Sequence, residues 1–181
     1  MTKNALETFV ESVRADWGPL STEVVAACTH HMKLLLQTDI LEPWLAGLHR
    51  ERPLARELYR DPDHGFVLMA HSEPAELYRP PHDHGRSWVI YGVQQGESEM
   101  GAYGRAEAAG AQPRLVKRNT ARVEAGGVEV YLPGDIHDTR CSRGPALLFR
   151  FTERDLKIED KVEGKITRYV DRDGVWTTAK P

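Results

Sequence analysis

The chain has 181 residues, of which 40% are hydrophobic and 28% charged, and its formal net charge is −3. This length predicts one domain, or one domain with a sizeable appendage. The slight negative charge argues against a broad basic surface of the kind that binds nucleic acids or anionic membranes. No apolar run approaches the roughly 18 residues that are needed to span a bilayer.

The cellular compartment is predicted from the N-terminus and the cysteines. The opening residues, MTKNALETFVES, contain no continuous apolar stretch of the signal-peptide kind. Cys28 and Cys141 form neither a metal-binding pair nor a disulfide framework. We therefore expect a cytoplasmic protein with reduced thiols and without a membrane partner.

The first fifty residues have the pattern of helices. Asn4, with Glu7 three residues later, has the form of a helix start. The apolar residues that follow have helical spacing: Leu6, Phe9, Val10, Val13 and Trp17. After a break at WGPLST, a second apolar stripe consists of Val24, Val25, Cys28, Met32 and Leu35. A short third piece, ILEPWLAGL, has Pro43 near its start. We expect a helical segment over residues 1–52.

From about residue 56 the pattern changes to short apolar runs separated by turn residues. These runs are GFVLMAH, SWVIYGVQ, EMGAYG, VEVYLPGD, ALLFRFT and KITRYV. Their spacing predicts a β-sandwich or barrel over residues 53–181 rather than alternating strands and helices. Residues 104–119 have the composition of a long hairpin connection, and residues 165–181 predict a last strand and a tail.

The eight histidines differ in their surroundings. Five of them fit structural or surface roles: His30, His31, His49, His64 and His71. His82 and His84 follow a proline pair two residues apart, so on an extended chain both side chains point to the same face. His137 follows the Pro-Gly turn of YLPGDIHDTR, where a new strand can begin. Three neutral imidazoles suit a divalent first-row metal and leave positions open for water or substrate.

The spacing of these residues resembles the two cupin motifs. The first motif, His-x-His followed by Glu and Gly, is matched at His82, His84 and Gly96. The second, with one residue fewer between proline and histidine, is matched at Gly127, Pro133, Gly134 and His137. Residues 58–156 are most similar to the cysteine-dioxygenase-like branch, the thiol dioxygenases and their relatives. The resemblance implies a mostly β, double-stranded β-helix (jelly-roll) barrel with an N-terminal helical segment, and it implies that the metal ligands are His82, His84 and His137.

The chain departs from the family pattern at three places. Trp88 and Val89 occupy the position of the motif glutamate, which the cysteine-dioxygenase-like branch also lacks. Because some of these dioxygenases carry a tyrosine-linked cysteine where Val89 stands, no such cross-link can form here. The Ser-His-Tyr triad of the branch is replaced by Leu148, Arg150 and Thr152. A ligand set of neutral imidazoles leaves the metal its full positive charge, which favours an anionic chelating substrate.

Three residues are candidates for substrate binding, and none is assigned as catalytic. Tyr91 shares strand parity with Val89, so it donates a hydrogen bond to substrate or fills the barrel as an aromatic. Arg150 faces the pocket by alignment; it binds a substrate carboxylate through two hydrogen bonds, or it pairs with a glutamate or with solvent. Arg60, in LYRDP, lies near the position where relatives place a carboxylate-binding arginine.

The function that the resemblance implies is a mononuclear non-haem Fe(II) dioxygenase acting on a small polar, metal-chelating substrate and O2. Oxidation of a thiol to a sulfinate is the preferred version, and cleavage of a carbon–carbon bond in a diketone-like substrate is the second. A metal-binding cupin without redox chemistry, either an isomerase or a ligand-binding sensor, is the alternative. Zinc, manganese, nickel and copper also accept imidazole ligands. Because cupins often form dimers, the resemblance implies a homodimer.

Overall fold

The structure is a computed structural model that describes residues 3–106 and 114–179. It begins with three helices, α1 (Ala5–Ala15), α2 (Thr22–Leu36) and α3 (Pro43–Glu51). Asn4 and Glu7 form a capping box at the start of α1, and the Ser21 side chain caps α2. Pro43 opens α3, where its missing N–H is not needed. Within the described residues, no helix is long and apolar enough to cross a membrane.

Nine strands follow in the described part of the chain. They are β1 (Arg56–Arg60), β2 (Val67–Glu73), β3 (Tyr78–His82), β4 (Val89–Ala106), β5 (Arg114–Glu124), β6 (Val128–Tyr131), β7 (Ile136–Thr152), β8 (Tyr169–Arg172) and β9 (Val175–Thr178). The predicted mostly β body with a helical segment in front of it is confirmed.

The two longest strands, β4 and β7, organise the sheet. They pair antiparallel with each other. On its other edge, each of them pairs with one strand along its first part and with a different strand along its second part. The first half of β7 pairs with β3 and its second half with β2, while β4 pairs first with β6 and then with β5. Both strands change register near Gly96, whose φ is +83° and whose Cβ position would lie 2.6 Å from the carbonyl oxygen of Arg143. A glycine is therefore required at this bulge.

The structure corrects three expectations about the strands. The run SWVIYGVQ from Val89 onward and the run EMGAYG belong to the single strand β4, because the bulge at Gly96 lets the strand continue. The connection predicted over residues 104–119 is shorter, since β4 extends to Ala106 and β5 begins at Arg114; residues 107–113 lie outside the described residues. The C-terminal piece forms the hairpin β8–β9 rather than one strand, because Asp173 and Gly174, at φ +56° and +81°, supply a two-residue turn.

The hydrophobic core lies between the helices and one face of the sheet. Alternate residues of the central strands point to the helices, among them Leu68, Ile90, Phe149 and Phe151. The other face encloses a second cluster that includes Val89, Tyr91, Val93, Tyr131 and Leu148. The proposed division at residues 52 and 53 stays a prediction, although α3 ends at Glu51 and β1 begins at Arg56.

Residues 155–179, which we call the C-terminal strap, are attached to the loop that carries His82 and His84. The amide of Asp83 donates to the carbonyl oxygen of Thr167 at 3.0 Å, and the amide of Thr167 donates to Asp83 Oδ1 at 2.8 Å. Glu159, only 1% exposed, accepts hydrogen bonds from the Arg86 amide at 2.8 Å and from Arg86 Nε at 2.9 Å. The strap is thus fixed at two points beside the histidine pair.

We expect Glu159→Gln to release the strap, because a hydrogen bond to a charged group contributes roughly 1.5–3 kcal/mol. In hydrogen exchange followed by mass spectrometry, the amides of Asp83, Arg86, Lys165 and Thr167 should exchange roughly tenfold to hundredfold faster. The amides at the centre of β4 and β7 should keep their protection.

Glu163→Gln is the matched control, because Glu163 pairs with the same Arg86 from a side chain that is 40% exposed. This variant should exchange like the unmodified protein, since exposed ion pairs contribute little. Equal exchange in the two variants would contradict the assignment of Glu159 as the anchor.

Candidate metal centre

Three histidines from two strands and one loop converge inside the barrel. His82 ends β3, His84 lies two residues later in the loop, and His137 is the second residue of β7. The pairing of β3 with β7 places His82 and His137 directly opposite each other. One ring nitrogen of each histidine lies within 4.8 Å of the others. The structure therefore brings together the three residues predicted as ligands.

The separation of the ring nitrogens fits a metal ion. His84 Nε2 and His137 Nε2 are 3.4 Å apart. Metal–nitrogen bonds of about 2.1 Å at a near-tetrahedral angle place two nitrogens about 3.4 Å apart. In His82 the Nδ1–H donates to the Pro80 carbonyl oxygen at 2.8 Å, because a carbonyl can only accept. The Nε2 of a neutral His82 is then left with its lone pair available, as a metal ligand requires.

Burial keeps the three imidazoles neutral. His84 and His137 are 2% and 0% exposed, and burial lowers the pKa of each well below the usual value. Burial also lowers the pKa of His82, although its hydrogen bond to Pro80 acts in the opposite direction. The positive charge of Arg150 lowers the pKa of all three further. The cluster is thus a set of uncharged nitrogen donors at neutral pH.

Two tyrosines complete the walls around the histidines. The hydroxyl of Tyr91 lies 3.2 Å from His84 Nε2, and Tyr91 pairs across the sheet with Arg150. The ring of Tyr131 lies over His137, with 3.8 Å between ring centroids and 30° between ring planes. Burial raises the pKa of both phenols, so both stay protonated. Tyr131 was not identified from the sequence, although its pairing partner Val89 lies on the inner face.

Asp138 ties the third histidine into the surrounding strands. Its side chain is buried and accepts hydrogen bonds from the Tyr78 hydroxyl at 3.0 Å and from the Gly101 amide at 2.9 Å. The Tyr103 hydroxyl donates to it as well, and the Lys117 ammonium lies 3.2 Å away. These contacts join β3, β4 and β5 to β7 immediately beside His137, so they fix the position of that ligand.

His82 and His84 open into a cavity of about 610 Å³ that is also lined by Arg150, Tyr91, His71 and Glu73. Arg150 is half-buried there, its Nε has no hydrogen-bond partner, and no carboxylate of the described residues forms an ion pair with it. Arg150 lies on the cavity-facing side of β7, because its partner across the sheet is Tyr91, which lines the same cavity. The guanidinium therefore faces the space beside the histidines.

Arg60 is not brought to this cavity. It ends the edge strand β1, where its side chain is 39% exposed and forms ion pairs with Glu57 and Asp155, each at 2.7 Å. The role of Arg60 in binding a substrate carboxylate therefore finds no support in its position. His71, assigned to a structural or rim role, does line the cavity, and its Nδ1–H donates to the Leu54 carbonyl oxygen at 3.2 Å.

The protein is similar in structure to several proteins of known structure. The cupin domain of Cnp3 from Schizosaccharomyces pombe aligns at 17% identity over 61% of this chain and 66% of that chain, with a TM-score of 0.44. KdgF from Halomonas sp. aligns at 20% identity over 56% and 80% of the two chains, with a TM-score of 0.41. Oxalate oxidase in complex with the substrate analogue glycolate aligns at 24% identity over 50% and 42%, with a TM-score of 0.39. The aligned parts make up less than two thirds of the Cnp3 and oxalate oxidase chains. No family model and no curated protein matches the sequence.

Removal of one ligand should abolish metal binding. We expect His84→Ala and His137→Ala each to lose stoichiometric binding of a divalent metal, because two imidazoles cannot replace three in a buried site. His71→Ala should keep the metal, since His71 lies in the same cavity but outside the ligand cluster. Metal content after dialysis, measured by mass spectrometry, tests this. Loss of metal in His71→Ala with retention in His137→Ala would overturn the ligand assignment.

The metal-free protein should become less stable as the pH falls below about 6.5. Burial, then the charges of Arg150 and Arg79, lower the pKa of His71 to about 3. Since the unfolded chain takes up a proton on this histidine near pH 6.5 and the folded chain does not, protonation favours unfolding. His71 alone should reduce the free energy of unfolding by about 1–2 kcal/mol between pH 7 and pH 5. Urea unfolding of the protein and of His71→Gln should show a flatter pH dependence in the variant; equal slopes would contradict this.

Proposed function

We propose that the protein is a mononuclear non-haem Fe(II) dioxygenase that oxidises a small, anionic, metal-chelating substrate, with a thiol converted to a sulfinate as the preferred reaction. One observation carries the proposal. Two histidines of the neutral cluster, His82 and His84, line the same cavity as Arg150, a guanidinium that has no carboxylate partner in the described residues. Ligands without charge and a free cation together favour a substrate with more than one anionic or chelating atom.

Arg150 provides the second point of attachment for such a substrate. A guanidinium binds a carboxylate through two parallel hydrogen bonds, so it fixes the orientation as well as the position of the acid. Most other arginines of the described chain have ion-pair partners, including Arg60, Arg79 and Arg86. An unpaired guanidinium in a partly buried cavity costs free energy, which a bound carboxylate recovers.

Tyr91 is the residue best placed to act on the reacting group. Its hydroxyl lies 3.2 Å from His84 Nε2, the nitrogen that would hold the metal, and its cross-strand neighbour Arg150 lines the same cavity. We infer that Tyr91 donates a hydrogen bond to the substrate beside the histidines. Fe(II) held by the three histidines would supply the redox chemistry that couples a thiol to O2; with both oxygen atoms in the sulfinate, no further reductant would be needed.

Carbon–carbon bond cleavage in an enolisable diketone is the second candidate. Leu148 and Thr152 supply no acid or base at the positions of the Ser-His-Tyr triad. At these two positions, therefore, no acid or base restricts the site to thiols. The same three ligands and Arg150 accommodate an enolate, which is also an anionic chelator.

Oxygen uptake tests the proposal. The protein is loaded anaerobically with Fe(II) and mixed with small thiols and, separately, with diketones. Uptake that depends on one carboxylated thiol and is lost in His84→Ala would support thiol oxidation. Uptake with a diketone alone would move the assignment to carbon–carbon cleavage, and metal binding without uptake from either panel would favour a cupin without redox chemistry.

Arg150→Gln sharpens the test. We expect the KM of the carboxylated thiol to rise roughly tenfold to hundredfold, because a hydrogen-bonded charge pair is lost. The KM of a thiol without a carboxylate, such as mercaptoethanol, should change little. Arg60→Gln is the matched control, since Arg60 lies outside the cavity, and it should behave like the unmodified protein.

A further inference from the structure

The cavity extends well beyond the histidines, and the C-terminal strap forms its outer part. Its volume of about 610 Å³ lies in the range of pockets that hold drug-sized ligands, roughly 300–1,000 Å³. Leu156, Lys157, Lys161 and Ile166 of the strap line it together with His82 and His84. A substrate that only reached the metal and Arg150 would leave this outer part unfilled.

The lining of the cavity is strongly basic on a chain whose net charge is −3. Among the described residues that line it, five carry positive charge and two carry negative charge. Arg79 pairs with Glu73 at 3.0 Å, and Arg168 pairs with Asp160 through contacts of 2.6 and 2.8 Å. The remaining cations are Arg150, Lys157 and Lys161. Neither lysine forms an ion pair within the described chain, although the positive charge of Lys157 helps to lower the pKa of Asp155.

The two lysines are exposed, and their backbone belongs to the anchored part of the strap. They lie four residues apart on a π-helical turn, Ile158–Val162, and the residue before it. Glu159, in the same turn, binds the Arg86 amide and guanidinium next to His84. The amide of Lys157 donates to Asp155 Oδ1 at 2.8 Å. The backbone that carries both ammonium groups is therefore fixed relative to the histidine cluster.

We propose that the substrate carries a second anionic group, separate from the one at the metal and Arg150, which Lys157 and Lys161 bind at the mouth of the cavity. The substrate class is then a diacid with a chelating thiol or hydroxyl next to one carboxylate. This inference rests on the proposed function for the position of the chelating end. It adds that the far end of the substrate is anionic and that Lys157 and Lys161 recognise it.

Binding of matched monoacids and diacids tests the proposal. The Co(II)-loaded protein is titrated by calorimetry with α-mercaptosuccinate, α-mercaptoglutarate and α-mercaptoadipate. The partners of equal chain length with one carboxylate are α-mercaptobutanoate, α-mercaptopentanoate and α-mercaptohexanoate. The α-hydroxy counterparts form a second series. For at least one chain length we expect the diacid to bind about threefold to tenfold more tightly than the monoacid, and less so at high salt.

The variant Lys157→Gln/Lys161→Gln should remove this advantage while the monoacid keeps its affinity. Lys165→Gln is the matched control, because Lys165 belongs to the same strap but does not line the cavity. An advantage that survives in the double variant, or that is absent at every chain length, would overturn the inference while the monoacids still bind. If only the α-hydroxy acids bound, with the same preference for diacids, the inference would stand, but the substrate would be a hydroxy acid rather than a thiol. Failure of both series to bind the metal-loaded protein would overturn this inference and the proposed function together.

Discussion

The antiparallel pairing of β4 with β7 is the constraint on which the rest of the structure depends. Along β7, Phe149 and Phe151 pack against the helices, while Leu148 and Arg150 face the cavity. The same strand begins with His137, and its pairing with β3 brings His82 opposite that residue. A register slip of one residue would exchange the two faces, placing Arg150 in the apolar core and the phenylalanines in the cavity. The core and the site are therefore specified by one alternation.

Burial is what makes the three histidines suitable as metal ligands. An imidazole at the surface titrates close to neutral pH, so a surface cluster would carry partial positive charge that opposes a cation. Here the low dielectric of the barrel and the charge of Arg150 both disfavour the protonated forms. Arg150 therefore has two effects. It favours neutral ligands, and it favours an anionic group in the space beside them.

Much of the fold was predictable because its signals are local. The capping box at Asn4 and Glu7 and the spacing of the apolar residues depend on neighbours within one or two turns. The histidine cluster was also predictable, because the spacing of His82, His84 and His137 resembles the two cupin motifs. The sequence did not indicate which of the two candidate arginines reaches the cavity. Arg60 and Arg150 are both strand residues, and the outcome depends on β1 being an edge strand and β7 a central one.

The strap was missed for a similar reason. Nothing near Glu159 in the sequence indicates that it pairs with Arg86, which lies 73 residues earlier. Glycine residues could have given a partial signal. A Cβ on Gly85, whose φ is +62°, would lie 2.7 Å from Glu159 Oε1, so this glycine records a close approach by another segment. From sequence alone, it is indistinguishable from an ordinary turn glycine.

The attachment of Asp83 to Thr167 has a consequence for the order of assembly. The contact spans 84 residues, and it fixes the backbone between His82 and His84. The loop that carries two of the three nitrogens is thus held by a segment synthesised long after it. Contacts of such large sequence separation form late in folding, because the intervening chain must first be ordered. The histidine pair therefore reaches its supported position only after the strap has folded onto the loop, and a nascent chain that still lacks the strap holds the pair without that support.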